Sequence, residues 1–204
     1  MIIWINGAFG AGKTTTAFEL HRKIKKSGEI KSIVYDPENV GYFMWKNSSN
    51  ILKKGDFQDF ELWREMNYKM LKLISDNYDG IIIAPMTLVK PEYYEEIIGR
   101  LINDGIEVRH FILHASRETL IKHLKIRGLG SLKRDSFAVN SIDRCIYSFD
   151  NYITDEKIIA DNKSVDDIVA EIAEKCGISL PVDKRSKFKK TLDRYFVLLR
   201  HIRR

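Results

Sequence analysis

Cysteine is nearly absent from this chain of 204 residues, which contains only Cys145 and Cys176. Two cysteines make no disulfide framework, and without a C-x-x-C pair they offer no zinc site. Both are expected to be reduced thiols. Long apolar runs are missing as well, since no stretch approaches the roughly 20 residues needed to span a bilayer. The opening MIIWING is not a signal-peptide pattern, because its apolar run ends at Ile5 and no basic segment precedes it. The chain is therefore expected to be made and kept in the cytoplasm. Uniform basicity is absent too. The net charge is +6, but residues 184–204 hold nine Lys/Arg against Asp193, a local +8 that leaves −2 for residues 1–183. A near-neutral body with a basic tail is not the balance of a nucleic-acid binder, and no nucleic-acid partner is expected. No internal repeat or low-complexity tract is visible.

What is present is an ordinary globular balance of 44% apolar and 30% charged residues, enough for one domain with a substantial core. Short apolar runs alternate with helical patterns. Residues 2–6 read as a buried strand, and a helix over 13–27 follows, with Ala17, Leu20 and Ile24 on one face and Gly28 ending it. A second strand is expected at 32–36. Leu62, Met66, Met70, Leu73 and Ile74 mark a helix, and 80–85 is a third strand, apolar without alternation. The next helix spans 92–104, turning Tyr94, Ile97, Ile98 and Leu101 inward, and a fourth strand lies at 108–113. Ser116 is placed to cap a helix that runs to Arg127. A Gly/Ser-rich basic loop, 128–141, leads to a short helix from about 141 to 147. A fifth strand is expected at 157–160. Ser164 and Asp167 form a capping box for a helix over 165–176. This alternation argues for an α/β fold, a parallel sheet wrapped by helices.

The segment GAFGAGKT fits G-x-x-x-x-G-K-[ST], with Gly7, Gly12, Lys13 and Thr14 at the fixed positions. A triphosphate must be surrounded by backbone N–H groups at close range, and glycines let the main chain approach. The following helix points its positive end at the phosphates. The run Gly7, Ala8, Phe9, Gly10, Ala11, Gly12, Lys13, Thr14 and Thr15 is thus expected to bind ATP. Lys13 would reach the β- and γ-phosphates, and the Thr14 hydroxyl would take a position on Mg²⁺. A strand before the motif and a helix after it are the context it requires.

Asp36, at the carboxyl end of the second strand, lies on the edge where open parallel sheets bind ligands. It is the candidate general base or water-mediated metal ligand, with Glu38 second; the plainer alternative is that it opens a turn before Pro37. The third strand ends IIIAPMT, without the acid of a usual Walker B, which argues against a motor or switch ATPase. Arg127, Lys133, Arg134 and Arg144 are placed to close over the phosphates as a lid, about 128–140, and neutralise charge there; an exposed basic loop is the alternative. Asn162, in ADNKS, is a candidate adenine contact, although a strand end followed by the Ser164 cap also explains it. Between Tyr42 and Tyr68 lie Phe43, Trp45, Phe57, Phe60 and Trp63, with Arg64 among them. These could form an apolar acceptor pocket that includes Trp63 and is anchored by Arg64, or they could simply be core.

Beyond the linker 177–183, Phe188, Leu192, Tyr195, Phe196, Leu199 and Ile202 recur at three- and four-residue spacing among lysines and arginines. This is a basic amphipathic helix, the profile of a segment lying on an anionic membrane surface. A terminal helix packed on the body is the alternative.

Taken in order, MIIWINGAFGAGKTTTAFELHRK, VYDPENVG, DFQDFELWREMNY, APMTLVKPEYYEEIIGRL, HASRETLIKHLKIR, IDRC and LLRHIRR resemble the bacterial ATP-binding tunicamycin-resistance protein family over nearly the whole chain. The resemblance implies a fold similar to nucleotide, shikimate and chloramphenicol kinases, with strand order 2-3-1-4-5. Residues 1–177 would form the ATP-binding domain, and 178–204 the linker and C-terminal helix attached peripherally to the membrane. It carries the ATP motif onto Gly7, Gly12, Lys13 and Thr14, the base onto Asp36, and family positions onto Arg127 and Arg144. Arg134 falls where the resemblance is weakest. The function expected is transfer of a phosphoryl group from ATP to tunicamycin or a related nucleoside. Two rivals stand beside it: an ATP-gated protein that sequesters the drug without chemistry, and a kinase for another hydroxylated metabolite.

Overall fold

The central strand is apolar along nearly its whole length because it is covered on both sides and both faces. β1 (Ile2–Gly7) is buried throughout and pairs in parallel with β3 (Ile81–Pro85) on one side and β4 (Val108–His114) on the other. In the computed structural model, which describes residues 1–48, 55–127 and 136–201 (backbone only for Arg127, Ser136 and 198–201), β2 (Ser32–Val34) and β5 (Glu156–Ile159) complete the sheet. Its five strands run in the order β2-β3-β1-β4-β5, as expected from the sequence.

In chain order the helices are α1 (Lys13–Ser27), α2 (Glu38–Lys46), α3 (Glu61–Asn77), α4 (Pro91–Tyr94), α5 (Arg100–Asn103), α6 (Arg117–Arg127), α7 (Ser136–Asn151), α8 (Val165–Lys175) and α9 (Lys187–His201). A π-helical turn (Glu95–Gly99) joins α4 to α5, so the helix expected at 92–104 forms as one rod. The alternation of side chains along β1 divides the core. Ile3 and Ile5 pack with Ala17, Leu20 and Ile24 of α1 and Val169 and Ile172 of α8. Ile2 and Trp4 pack on the other face with Trp63 and Leu71 of α3 and Ile97, Ile98 and Leu101 of the α4–α5 rod.

Three local differences from the sequence expectation have physical causes. The helix expected at 141–147 is α7, which begins five residues earlier and ends at Asn151. Ala138, Ile142, Cys145 and Phe149 recur at helical spacing and are buried, and the Ser141 hydroxyl donates to the Phe137 carbonyl at 2.7 Å, so the serines fit inside the helix. The described part of the expected lid, 136–140, is thus helical; Lys133 and Arg134 lie outside the described residues. In α3 the buried face is Trp63, Arg64, Asn67 and Leu71, whereas Leu62 and Leu73 are each 58% exposed. Of the stripe that reveals the helix in the sequence, Leu62, Met70 and Leu73 therefore face solvent, while Met66 and Ile74 pack partly against the core. Finally, the 177–183 stretch is fastened to the body. Ile178 is buried in the α1–α8 core, and Asp183 accepts from Arg22 and Arg185 at 2.9 and 2.8 Å.

Candidate active site

The turn from β1 into α1 is made of glycine where no other residue fits. Gly7 has φ +145°, and a Cβ there would stand 2.8 Å from the Leu113 carbonyl oxygen. Gly10 has φ +88°, and its Cβ would stand 2.8 Å from the Leu120 carbonyl oxygen. Gly12 caps α1 without a side-chain hydrogen bond, so no cap oxygen competes for the N–H groups of the first turn. The first turn carries no acidic residue, which leaves the positive end of the helix open to an anion. The Lys13 ammonium curls back over the loop, donating to the Gly7 and Ala8 carbonyls at 3.0 and 3.1 Å. It also lies 5.5 Å from the centre of the Phe9 ring, which meets Phe137 of α7 edge-on at 5.8 Å.

The sequence does not single out His123, yet its Nδ1 lies 3.0 Å from the Gly10 carbonyl oxygen. Leu120 and Leu124 of the same α6 face meet Gly10 from above. Arg127 ends this helix one turn beyond His123.

On the other side of the loop, Asp36 is buried directly after β2. Its Oδ1 accepts from the Glu38 N–H at 3.0 Å, so it does open the turn into α2 while standing at the carboxyl edge of the sheet. Trp63 is fully buried, and its indole N–H donates to the Pro37 carbonyl at 3.2 Å. The ring is a core element bracing the turn after Asp36. Arg64 is likewise occupied within the fold. Its Nε donates to Glu96 at 2.6 Å and its NH1 to the Gln58 carbonyl at 2.6 Å, while its guanidinium stacks 4.4 Å from the Tyr93 ring centre. Those contacts tie α3 to the π-helical turn and to the segment before α3.

The polar groups beside this cluster have no signal in the sequence, because they meet across thirty or more residues. Lys90 and the Tyr93 hydroxyl both donate to Asp59 Oδ1, at 2.8 and 2.5 Å. Burial acts to raise the Asp59 carboxyl, but the bonds from Lys90 and Tyr93 hold it below its ordinary value. Burial pushes the nearby Asp56 carboxyl up, against the bond it accepts from Gln58 N–H and the charges of Arg144 and Lys90. Arg144 acts electrostatically on Asp56 and Asp59, and together with Lys13 on Cys145. It is therefore within electrostatic range of both acids and of Cys145. Asn162, by contrast, is exposed in a left-handed turn with φ +59° after β5. Asparagine tolerates that conformation better than most residues, which accounts for it without a base contact. The oxygens of Thr14 and Asp36 are the hard donors that suit Mg²⁺.

A parallel β2-β3-β1-β4-β5 sheet with a glycine loop between its central strand and first helix is the fold of the P-loop kinases. Among solved structures the chain is similar to the tunicamycin resistance protein of Deinococcus radiodurans, with a TM-score of 0.70, 23% identity, and 89% of this chain and 99% of that one covered. It is also similar to the Mycobacterium tuberculosis APS kinase CysC in complex with AMPPNP and APS, at TM-score 0.59 and 14% identity over 86% and 96% of the two chains. The shikimate kinase of Bacteroides thetaiotaomicron matches at TM-score 0.58 and 17% identity over 87% and 99%. No protein-family model matches the sequence. No curated protein sequence matches it either. At these identities the likeness establishes the fold.

Proposed function

We propose that the chain is an ATP-dependent phosphotransferase acting on a hydroxyl of tunicamycin or a related nucleoside. The observation that supports this most directly is the Lys13 ammonium folded onto the carbonyls of a glycine loop, at the same sheet edge where Asp36 is buried. A triphosphate takes the place of those carbonyls as the partner of Lys13, and the N–H groups at the start of α1 face its oxygens. Asp36 accepts the proton of the acceptor hydroxyl. The freed oxygen forms a bond to the γ-phosphorus as the bond to the β–γ bridging oxygen breaks, and ADP leaves with that electron pair. Mg²⁺, held by Thr14 and Asp36, would neutralise phosphate charge when bound. Arg127, Arg134 and Arg144 supply further positive charge from the lid side. The acceptor lies against Asp56, Asp59, Lys90 and Tyr93. The outward face of α9 contacts an anionic membrane surface.

Incubation with Mg·ATP and tunicamycin, followed by mass spectrometry, should show one added phosphoryl group. Asp36→Asn should slow that transfer by about 10²–10⁴-fold, the contribution of a positioned base, while Mg·ATP binding persists. Drug tolerance that survives Asp36→Asn unchanged would instead favour sequestration without chemistry.

A further inference from the structure

Asn6 is the polar residue in the otherwise apolar β1, and its side chain is fully buried. Its Oδ1 accepts from the Gly7 N–H at 2.8 Å and from the Leu88 N–H at 2.9 Å. Its Nδ2 donates to the Leu88 carbonyl at 2.9 Å and lies 3.1 Å from His110 Nε2. A carboxamide offers two acceptor positions and two donors, so all four are used. Because Oδ1 faces two N–H groups, the amide has one orientation and Nδ2 is the atom that meets His110. His110 Nε2 is then the acceptor, and the ring proton sits on Nδ1, which lies 3.1 Å from Asp155 Oδ2 without the alignment of a hydrogen bond. Tyr94 donates to the other oxygen of Asp155 at 3.2 Å and packs edge-on to the His110 ring at 5.3 Å.

The two backbones joined by this amide carry different halves of the site. Gly7 is where β1 becomes the phosphate loop. Leu88 belongs to a short strap after β3 that ends at Lys90, on the acceptor side. The strap is stitched to the same region by the Met86 N–H to the Ile5 carbonyl at 3.1 Å, the Trp4 indole to the Met86 carbonyl at 3.1 Å, and the Thr87 hydroxyl to the Gly7 carbonyl at 2.8 Å.

We infer that Asn6 is a positioning residue, whose amide, fixed by two backbone N–H groups and met by His110 Nε2, holds the phosphate loop in register with the acceptor-side strap. The inference rests on reading residues 7–15 as a triphosphate site. A hydroxyl could not serve in its place, since it lacks the second donor. An aspartate is isosteric, but it turns both donor positions into charged acceptors, one of them facing the Leu88 carbonyl.

The test is calorimetry with Mg·ATP on four proteins, wild type, Asn6→Asp, His110→Leu and His110→Gln, with thermal melts to confirm that each is folded. Asn6→Asp should bind Mg·ATP about tenfold or more weakly while still melting cooperatively, the effect of losing one or two buried hydrogen bonds at the site. His110→Leu removes the acceptor that meets Asn6 Nδ2 and carries the test if Asn6→Asp does not fold; it should weaken Mg·ATP binding several-fold. His110→Gln keeps an acceptor for Nδ2 and should recover most of that loss. Native affinity in a folded Asn6→Asp or His110→Leu protein, or equal weakening in His110→Gln and His110→Leu, overturns the inference alone. A wild type with no Mg·ATP binding overturns it together with the phosphate-loop reading.

Discussion

The Lys13 ammonium donates to two neutral carbonyls of its own loop. Phosphate oxygens carry full charge, and hydrogen bonds between charged partners are about twice as strong as neutral ones. Lys13→Ala should therefore weaken Mg·ATP binding by about 100-fold in calorimetry, in line with about 1.5–3 kcal/mol for a bond to a charged group. The same loss is readable by heat. A ligand at about 100 times its Kd stabilises the native state by about 2.7 kcal/mol. For a chain of this size that is a rise in Tm of about 5–10 °C, and it should disappear in Lys13→Ala; an undiminished rise would argue against a triphosphate in this loop. Gly10→Ala should cost stability by about 1–3 kcal/mol, because the new methyl meets a backbone oxygen and the residue keeps a positive φ. The glycine loop is legible in the sequence because its conformation is local and its spacing is fixed by the turn. Asp56, Asp59, Lys90 and Tyr93 are not, since only the fold brings them together. Asn6 leaves a faint sign, a lone amide in an apolar strand, and buried amides are paired. Arg64 shows the converse: its position among aromatic residues suggests a ligand anchor, but Glu96 and the Gln58 carbonyl already take two of its donors.

At the scale of elements, the strands and α1 follow their patterns because both faces of the sheet are covered. α7 hides behind Ser136, Ser141 and Asn140, residues typical of loops, and is revealed by the buried spacing of Ala138, Ile142, Cys145 and Phe149. The orientation of α9 could not be read from its periodicity, which gives an apolar face but not what that face meets. The structure docks it by charge. Arg185 binds Asp183, Asp193 and the buried Glu19, and Lys190 and Arg194 bind Asp166 of α8 at 3.2 and 2.9 Å. The bond from Arg185 holds the Asp183 carboxyl far below the usual carboxylate range. Burial acts to raise Asp166, but Lys23 and Arg194 hold it far down as well. Depressed carboxyls contribute stability above their unfolded value, about 3.9 for aspartate, and lose it only as pH falls through the lower folded values. The clasp should therefore persist unchanged from pH 7 to pH 5, and hydrogen exchange of α9, corrected for the intrinsic rate, should show equal protection at both. Arg185→Ala should release it, exposing α9 to trypsin and costing about 2–4 kcal/mol by leaving Glu19 and Asp183 short of a partner. Loss of protection already at pH 5 in the wild type would mean that other contacts hold the helix.

Across the whole molecule, this docking turns an ordinary amphipathic helix outside in. The basic side chains that carry the tail's +8 are partly spent on the acids of a body that sums to −2. Three aromatic side chains point away, with Phe188 78%, Tyr195 49% and Phe196 52% exposed. Among the described residues no helix is long and apolar enough to cross a membrane, so contact with a bilayer would be lateral, through this face. Burying a phenylalanine side chain contributes about 1.5–3 kcal/mol, whereas a lysine near an anionic surface contributes about 1 kcal/mol and is screened by salt. If α9 meets the membrane while still clasped to α1 and α8, its aromatic residues should dominate binding. Phe188→Ser with Phe196→Ser should then lower partition onto vesicles containing phosphatidylserine by about 100-fold or more in co-sedimentation. Lys189→Ala, on the exposed flank, should lower it only several-fold, with most of that difference gone at high salt. The opposite order, with the lysine dominant and the phenylalanines silent, would mean that α9 leaves its clasp before it reaches lipid, because only then do Lys190 and Arg194 become available to headgroups.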